Sequence, residues 1–246
     1  MGQAVVAFTP IADIEEKNRL LLNVWGPPKA GKTTLALTFP EPIYYFNFDL
    51  GLEQHIGRIA EKQMFVSQYE APMSATFHEL ERLAEEVNKD MSTAGKATIH
   101  GGTIIIDTGD DLWSLYSRLA LEEEAGKRGG QAPLRFSYGA ANNWFKNVVD
   151  TVKRAGYGNL VVIDREKDEY DSKGKETGKK LRKGWKGVEY GTLMTMRMTA
   201  RQVSGQTQHY GLIEKNGYAD ALNGMELENP TFDSIMGLAR AMGWQG

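Results

Sequence analysis

Cysteine is absent from all 246 residues, so neither a disulfide nor a thiolate metal site can hold this chain together. A cysteine-free composition fits a reducing interior. No apolar run approaches the roughly 20 residues needed to cross a bilayer, and the opening MGQAVVAFTPIADIEE has neither the basic start nor the apolar middle of a secretory signal. The myristoylation pattern fails as well, because Val6 stands where Ser or Thr is required. These absences lead to the expectation of a cytoplasmic protein with no membrane partner. A positive net charge is also lacking: the formal charge is −3, so contact with nucleic acid has to come from a local patch. What remains, 41% hydrophobic and 25% charged residues, is ordinary globular composition and enough for a sizeable core.

Short β-like runs alternate with helix-like segments, the sequence sign of an α/β sheet with parallel strands. Residues 20–25 read as the first strand, 31–39 as a short helix stopped by Pro40 and Pro42, and 43–48 as the second strand. Phe77, Leu80, Leu83, Ala84 and Val87 recur at helical spacing across 77–89. GGTIIID, residues 101–107, is a third strand, apolar on both faces as a central parallel strand must be. Residues 144–155 read as a helix and NLVVID, residues 159–164, as a fourth buried strand. Residues 165–190 are polar and aperiodic, a gap that reads as a functional or disordered loop. Two β-like runs follow, 192–203 and 209–222, and a final helix over 232–242. With neither repeats nor a linker, a single domain is expected.

GPPKAGKTT, Gly26 to Thr34, lies between the first strand and the first helix and fits a Walker A loop, Gly26-x-x-x-x-Gly31-Lys32-Thr33. Gly26, Pro27, Pro28, Lys29, Ala30 and Gly31 are the candidate phosphate cradle: N–H groups of such a loop, which the two prolines cannot supply, turn inward with the helix N-terminus and suit the phosphates of ATP. Lys32 is the candidate for the β and γ phosphates, Thr33 for Mg²⁺, and Thr34 for the side nearer base and ribose. Asp107 closes an apolar strand about 75 residues later and is the candidate Walker B carboxylate for the same Mg²⁺. Asp110 and Asp111 read as the N-cap and first turn of the helix behind it. Thr108 stands where many such ATPases carry the water-activating acid, so that group has to come from elsewhere. Asp49 is the first candidate and Glu53 the reserve, with a structural role open for either.

GPPKAGKTTLALTFP, TIIIDTGDDLW and NLVVIDREKDEY, in this order, resemble the RecA-like recombinase core, and more narrowly the small phage RecA-like ATPases of single-strand annealing, the Sak-type minimal recombinases. The resemblance implies a RecA-like P-loop NTPase fold over residues 20–246: a mostly parallel central sheet flanked by helices, with antiparallel strands at the C-terminal side. It implies an N-terminal segment, 1–19, in which AVVAFTP is a polymerisation strand or else an edge strand of its own sheet. It puts Asp49 at the family's catalytic carboxylate. Arg165 falls at a γ-phosphate sensor, where it could instead pair with Glu166 or Asp168. Residues 122–138 and 165–190 fall at the two DNA-binding loops. Arg135, Lys173, Lys175, Lys179, Lys180, Arg182, Lys183 and Lys186 are then candidate phosphate contacts, and Trp185, Phe136 and Tyr138 candidate stacking platforms for single-stranded DNA. The acidic residues among them leave a merely solvated loop open. Lys215 is the candidate finger reaching a neighbouring protomer's γ-phosphate, with Arg197 and Arg201 as alternatives and a plain surface Lys equally open; a finger would require a homo-oligomer, ring or filament.

The reading that follows is a DNA-stimulated ATPase in phage recombination, in the host cytoplasm, working with single-stranded DNA and a single-strand-binding protein. A helicase-like motor and a nucleotide-binding assembly protein with protein partners are the competing classes.

Overall fold

The computed structural model describes residues 18–127, 138–156 and 158–244. The expectations placed on AVVAFTP, Arg135 and Phe136 lie outside these residues.

Parallel strands form the centre: β1 (Leu21–Gly26), β2 (Ile43–Asn47), β3 (Met64–Gln68), β4 (Thr103–Asp107) and β5 (Asn159–Tyr170). β7 (Met194–Val203) lies parallel beside β1, and β8 (Gln206–Asn216) and β9 (Glu226–Glu228) follow it antiparallel on that side. The order is β3-β2-β4-β5-β1-β7-β8-β9, and β6 (Glu176–Arg182) pairs with β5 alone. The architecture is therefore the expected α/β one, mostly parallel with antiparallel strands at the C-terminal side. β5 separates the strand that feeds the Gly-rich loop from the strand that ends in Asp107.

Alternation along each central strand divides the core in two, because successive side chains point to opposite faces. Leu21, Ile104, Ile106, Leu160 and Val162 pack under α3 (Phe77–Ala97), α4 (Gly109–Lys127) and α5 (Tyr138–Ala155). Leu22, Val24, Ile105, Val161 and Ile163 pack under α1 (Lys32–Ala36) and α7 (Phe232–Ala241). Two four-residue helices, α2 (Ile56–Ile59) and α6 (Val188–Gly191), and two 3₁₀ turns, Gly51–His55 and Asp220–Leu222, complete the described elements. None of the described helices is long and apolar enough to cross a membrane.

Several expectations need correction: the helix expected over 144–155 begins at Tyr138, and the run expected over 209–222 is a strand only over Gln206–Asn216. The helix expected over 31–39 is regular only over Lys32–Ala36, and the one expected over 77–89 continues to Ala97 because Met91 and Ala94 prolong its buried stripe. Its start follows from a capping box, with Glu79 N–H donating to Thr76 Oγ1 at 3.4 Å and Thr76 N–H donating to Glu79 Oε2 at 2.7 Å. Of the polar stretch 165–190, residues 165–182 form a β-hairpin rather than a loop: β5 runs on beyond the core to Tyr170, turns at Asp171–Gly174 and returns as β6. In addition, β3 is a strand that the sequence pattern does not mark.

Candidate functional site

The Gly-rich loop leaves β1 where the sheet leaves no room for a side chain. A Cβ on Gly26 would lie 2.2 Å from the Met198 carbonyl oxygen of β7, and its φ of 146° is open only to glycine. Gly31, at φ 90°, opens α1, and a Cβ there would meet the His209 imidazole at 2.8 Å. Lys32 folds back over the loop and donates to Gly26 O at 2.9 Å and Pro27 O at 2.8 Å. Burial draws the Lys32 pKa below its ordinary value, against the opposing charges of Asp107, Glu166, Asp49 and Asp110. The field of four carboxylates thus converges on one ammonium.

Asp107 faces this loop from the end of β4. Thr33 donates its hydroxyl proton to Asp107 Oδ2 at 3.0 Å, and Tyr45 of β2 donates to the same oxygen. Burial, and then the charge of Asp49, raise the Asp107 pKa to about 6, while Tyr45, Thr33 and Lys32 favour the ionised form. A hydroxyl and a carboxylate, both hard oxygen donors, suit Mg²⁺, which takes one or two protein groups and completes its shell with phosphate and water. Among the described residues no group of three His, Cys, Asp or Glu forms a separate cation cage.

Asp49 is exposed just past β2 and accepts from Gly51 N–H at 2.9 Å, and its charge is felt at both Lys32 and Asp107. Glu53 is exposed in the 3₁₀ turn Gly51–His55 that follows.

Arg165 is paired in register with Gly26 across β1 and β5. Its side chain turns to the start of α4, donating from Nε to Asp110 Oδ2 at 2.9 Å and pairing with Asp111. Of the alternatives weighed for it, an ion pair is formed, but the partners are Asp110 and Asp111 rather than Glu166 or Asp168. Lys183 reaches the same Asp110 Oδ2 at 3.1 Å. Burial would raise the Asp110 pKa, but Arg165 and Lys183 hold it below the usual carboxylate range. The N-cap of α4 is Thr108, whose Oγ1 accepts from Asp111 N–H at 3.3 Å, so both acids sit in the first turn.

The cations of the hairpin do not share one environment. Lys173, Lys175 and Lys179 are exposed around its tip, and Lys180 pairs with Asp168 across the strands. Arg182 has to be removed from the outward-facing set. Its side chain is 7% exposed, donates to Asp164 Oδ2 and to Trp185 O, each at 2.9 Å, and so anchors the hairpin to the core. Asp164 is buried and also accepts from Asn23 at 2.8 Å. Trp185 is half-buried, its ring 5.2 Å from that of Phe145.

Between α4, α5 and the hairpin lies a groove of about 530 Å³, lined by Trp113, Tyr138, Trp185, Lys167, Lys183 and Lys186 among others. Trp113 and Tyr138 stack with ring centroids 5.7 Å apart. Of these six, the sequence singles out Tyr138, Trp185, Lys183 and Lys186 but not Trp113 or Lys167.

Lys215 is exposed on β8, donates to Glu189 O at 3.1 Å and lies 4.7 Å from the Tyr190 ring centroid. Of its two alternatives, Arg201 forms a two-pronged pair with Glu226, and Arg197 lies over Trp25, 5.0 Å from the ring. Tyr45, Asn23 and His209 carry no sequence signal either, since each sits inside an otherwise unremarkable strand.

A family model described as an AAA domain matches residues 18–218, well over half of the chain and all of the elements above from β1 through β8. Among solved structures the chain is similar to the crystal structure of the RadB recombinase, at 14% sequence identity and a TM-score of 0.47, with 86% of each chain covered. No curated protein matches it significantly.

Proposed function

This chain belongs to the AAA domain family, and we propose that it is an ATPase that binds single-stranded DNA and serves phage homologous recombination by annealing or strand exchange. ATP lies in the loop Gly26–Thr34, its phosphates against the backbone N–H groups and the start of α1. Lys32 exchanges its two loop carbonyls for phosphate oxygens. Thr33 and Asp107 hold Mg²⁺, which neutralises charge on the phosphates when bound. Asp49 orients the attacking water, with Glu53 in reserve. Lys215 of a neighbouring copy completes the site in an oligomer, a ring or a filament.

The observation that carries the DNA half of this reading is the continuity of β5. One strand runs from the register partner of Gly26 into the hairpin whose base lines a groove of three aromatic rings and three lysines, together with Asp110 and Asp111. Aromatic faces suit unpaired bases and lysines suit the backbone, which gives binding tolerant of sequence and sensitive to salt. Exposed Lys173, Lys175 and Lys179 extend the basic track beyond the groove.

The test is ATP hydrolysis with and without single-stranded DNA at two salt concentrations, beside Lys32→Ala. Stimulation that fades with salt and is absent in the variant supports the proposal. Nucleotide binding with no response to DNA sinks the DNA role and favours an assembly protein whose hairpin meets another protein.

A further inference from the structure

Register places Tyr45 where it can govern the cation site. Tyr45 pairs with Ile105 across β2 and β4, two positions before Asn47 pairs with Asp107. Residues two apart share a face of a strand, so Tyr45 and Asp107 project on the same side of the sheet. The ring is 1% exposed and packed in the core beneath α1, and the hydroxyl ends on Asp107 Oδ2, the oxygen that also receives the Thr33 proton.

A hydroxyl has one proton and two lone pairs. With its proton committed to Asp107, Thr33 keeps its lone pairs for a cation. That orientation holds only while Asp107 is held, and a carboxylate is free to turn about its last torsion unless a second partner fixes it. Tyr45 supplies that partner. A phenol, ordinarily titrating at about 10, keeps its proton at neutral pH and so remains a donor.

Resting on the nucleotide reading above, we infer that Tyr45 is a positioning residue for Mg²⁺: by fixing Asp107 it orients Thr33, and so sets how tightly the nucleotide-bound cation is held. It touches neither nucleotide nor metal itself. Groups that orient metal ligands in this indirect way typically change metal affinity by ten- to a hundred-fold when removed.

The experiment is a fluorescent ATP analogue titrated with Mg²⁺ against full-length wild type and Tyr45→Phe, at about pH 8 so that Asp107 is ionised, with a parallel titration in EDTA. The inference predicts that the Mg²⁺ midpoint rises about ten-fold or more, while analogue affinity in EDTA stays the same. A purely structural tyrosine would lower the unfolding temperature and leave the Mg²⁺ midpoint where it was, and that result overturns the inference. Should the Phe variant not fold, 4-fluorophenylalanine at position 45 keeps the shape of tyrosine without a donor and is judged by the same midpoint. Wild type that binds no analogue, or Lys32→Ala that binds it equally well, overturns the nucleotide reading itself, a different failure from an unmoved midpoint.

Discussion

Gly26 and Arg165 face each other across the parallel ladder of β1 and β5. The first begins the Gly-rich loop, and the second sits at the point where β5 leaves the core for the hairpin. From Arg165 a chain of charged contacts passes through Asp110 to Lys183 at the groove. The loop and the groove are therefore joined by one strand and by two cations that share a carboxylate. A change at the loop has a short physical route to the hairpin.

Gly26→Ala is the harshest change expected in the loop. Its Cβ would sit 2.2 Å from Met198 O, which is backbone and cannot swing aside. The expected loss is about 3 kcal/mol or more of folding stability, read from the urea midpoint. A variant as stable as wild type would mean that β1 and β7 do not pack as described.

Asp107 makes the nucleotide-free protein pH-sensitive. Its folded pKa, raised to about 6, lies above the ordinary value of 3.8. Its contribution is thus fully present below about pH 4 and is lost as pH rises through 6. Asp107→Asn escapes that loss, so without nucleotide it should gain on wild type between pH 4 and 7, by on the order of 2 kcal/mol. On the proposed reading Mg²⁺ with nucleotide should reverse the preference, because a bound cation needs the ionised carboxylate. Unfolding curves across this pH range, with and without Mg²⁺ and nucleotide, check both signs.

Arg182 is predicted to matter for stability rather than for direct DNA contact. Burial already raises the Asp164 pKa to about 6, so in Arg182→Ala the buried carboxyl must either stay charged without its cation or take up a proton, at a cost of up to about 3–5 kcal/mol. Arg182→Met combined with Asp164→Asn removes both charges and should recover much of it. Equal stability of the single and double variants in chemical denaturation would contradict the buried pair.

Lys183→Ala and Lys186→Ala should each flatten the dependence of single-stranded DNA affinity on salt. The expected change is about 0.7 in the slope of log affinity against log salt for each DNA phosphate that no longer meets a lysine. Fluorescence anisotropy at several salt concentrations measures it, and unchanged slopes would place DNA outside the groove.

How much of this was readable in the chain depends on what each residue had to satisfy. β1 and β4 are buried on both faces and so are written as continuous apolar runs, and the loop between β1 and α1 needs glycines that no other residue replaces. β3 is an edge strand with Phe65 and Val66 exposed, so neither alternation nor a long apolar run marks it. The hairpin is hidden because β5 beyond Asp164 and β6 are mostly polar, with Leu181 the one aliphatic side chain of β6 and itself exposed. Its signals were of another kind: DSKG, with Asp171 first and Gly174 last, suits a tight turn, and Asp168 opposite Lys180 is a cross-strand charge pair. Arg182 looked like one more surface cation in a basic run. The clue lay elsewhere, in an Asp at the end of a buried strand, which needs a partner brought to it. Tyr45 carries no pattern at all, since only the register of β2 against β4 shows that it reaches Asp107.

The most direct test of the coupling is the affinity for single-stranded DNA with a non-hydrolysable ATP analogue, with ADP, and with no nucleotide. The ATP analogue should tighten binding by about ten-fold, ADP should not, and DNA should tighten the analogue by the same factor. Equal DNA affinity in all three states would contradict a link between the loop and the groove.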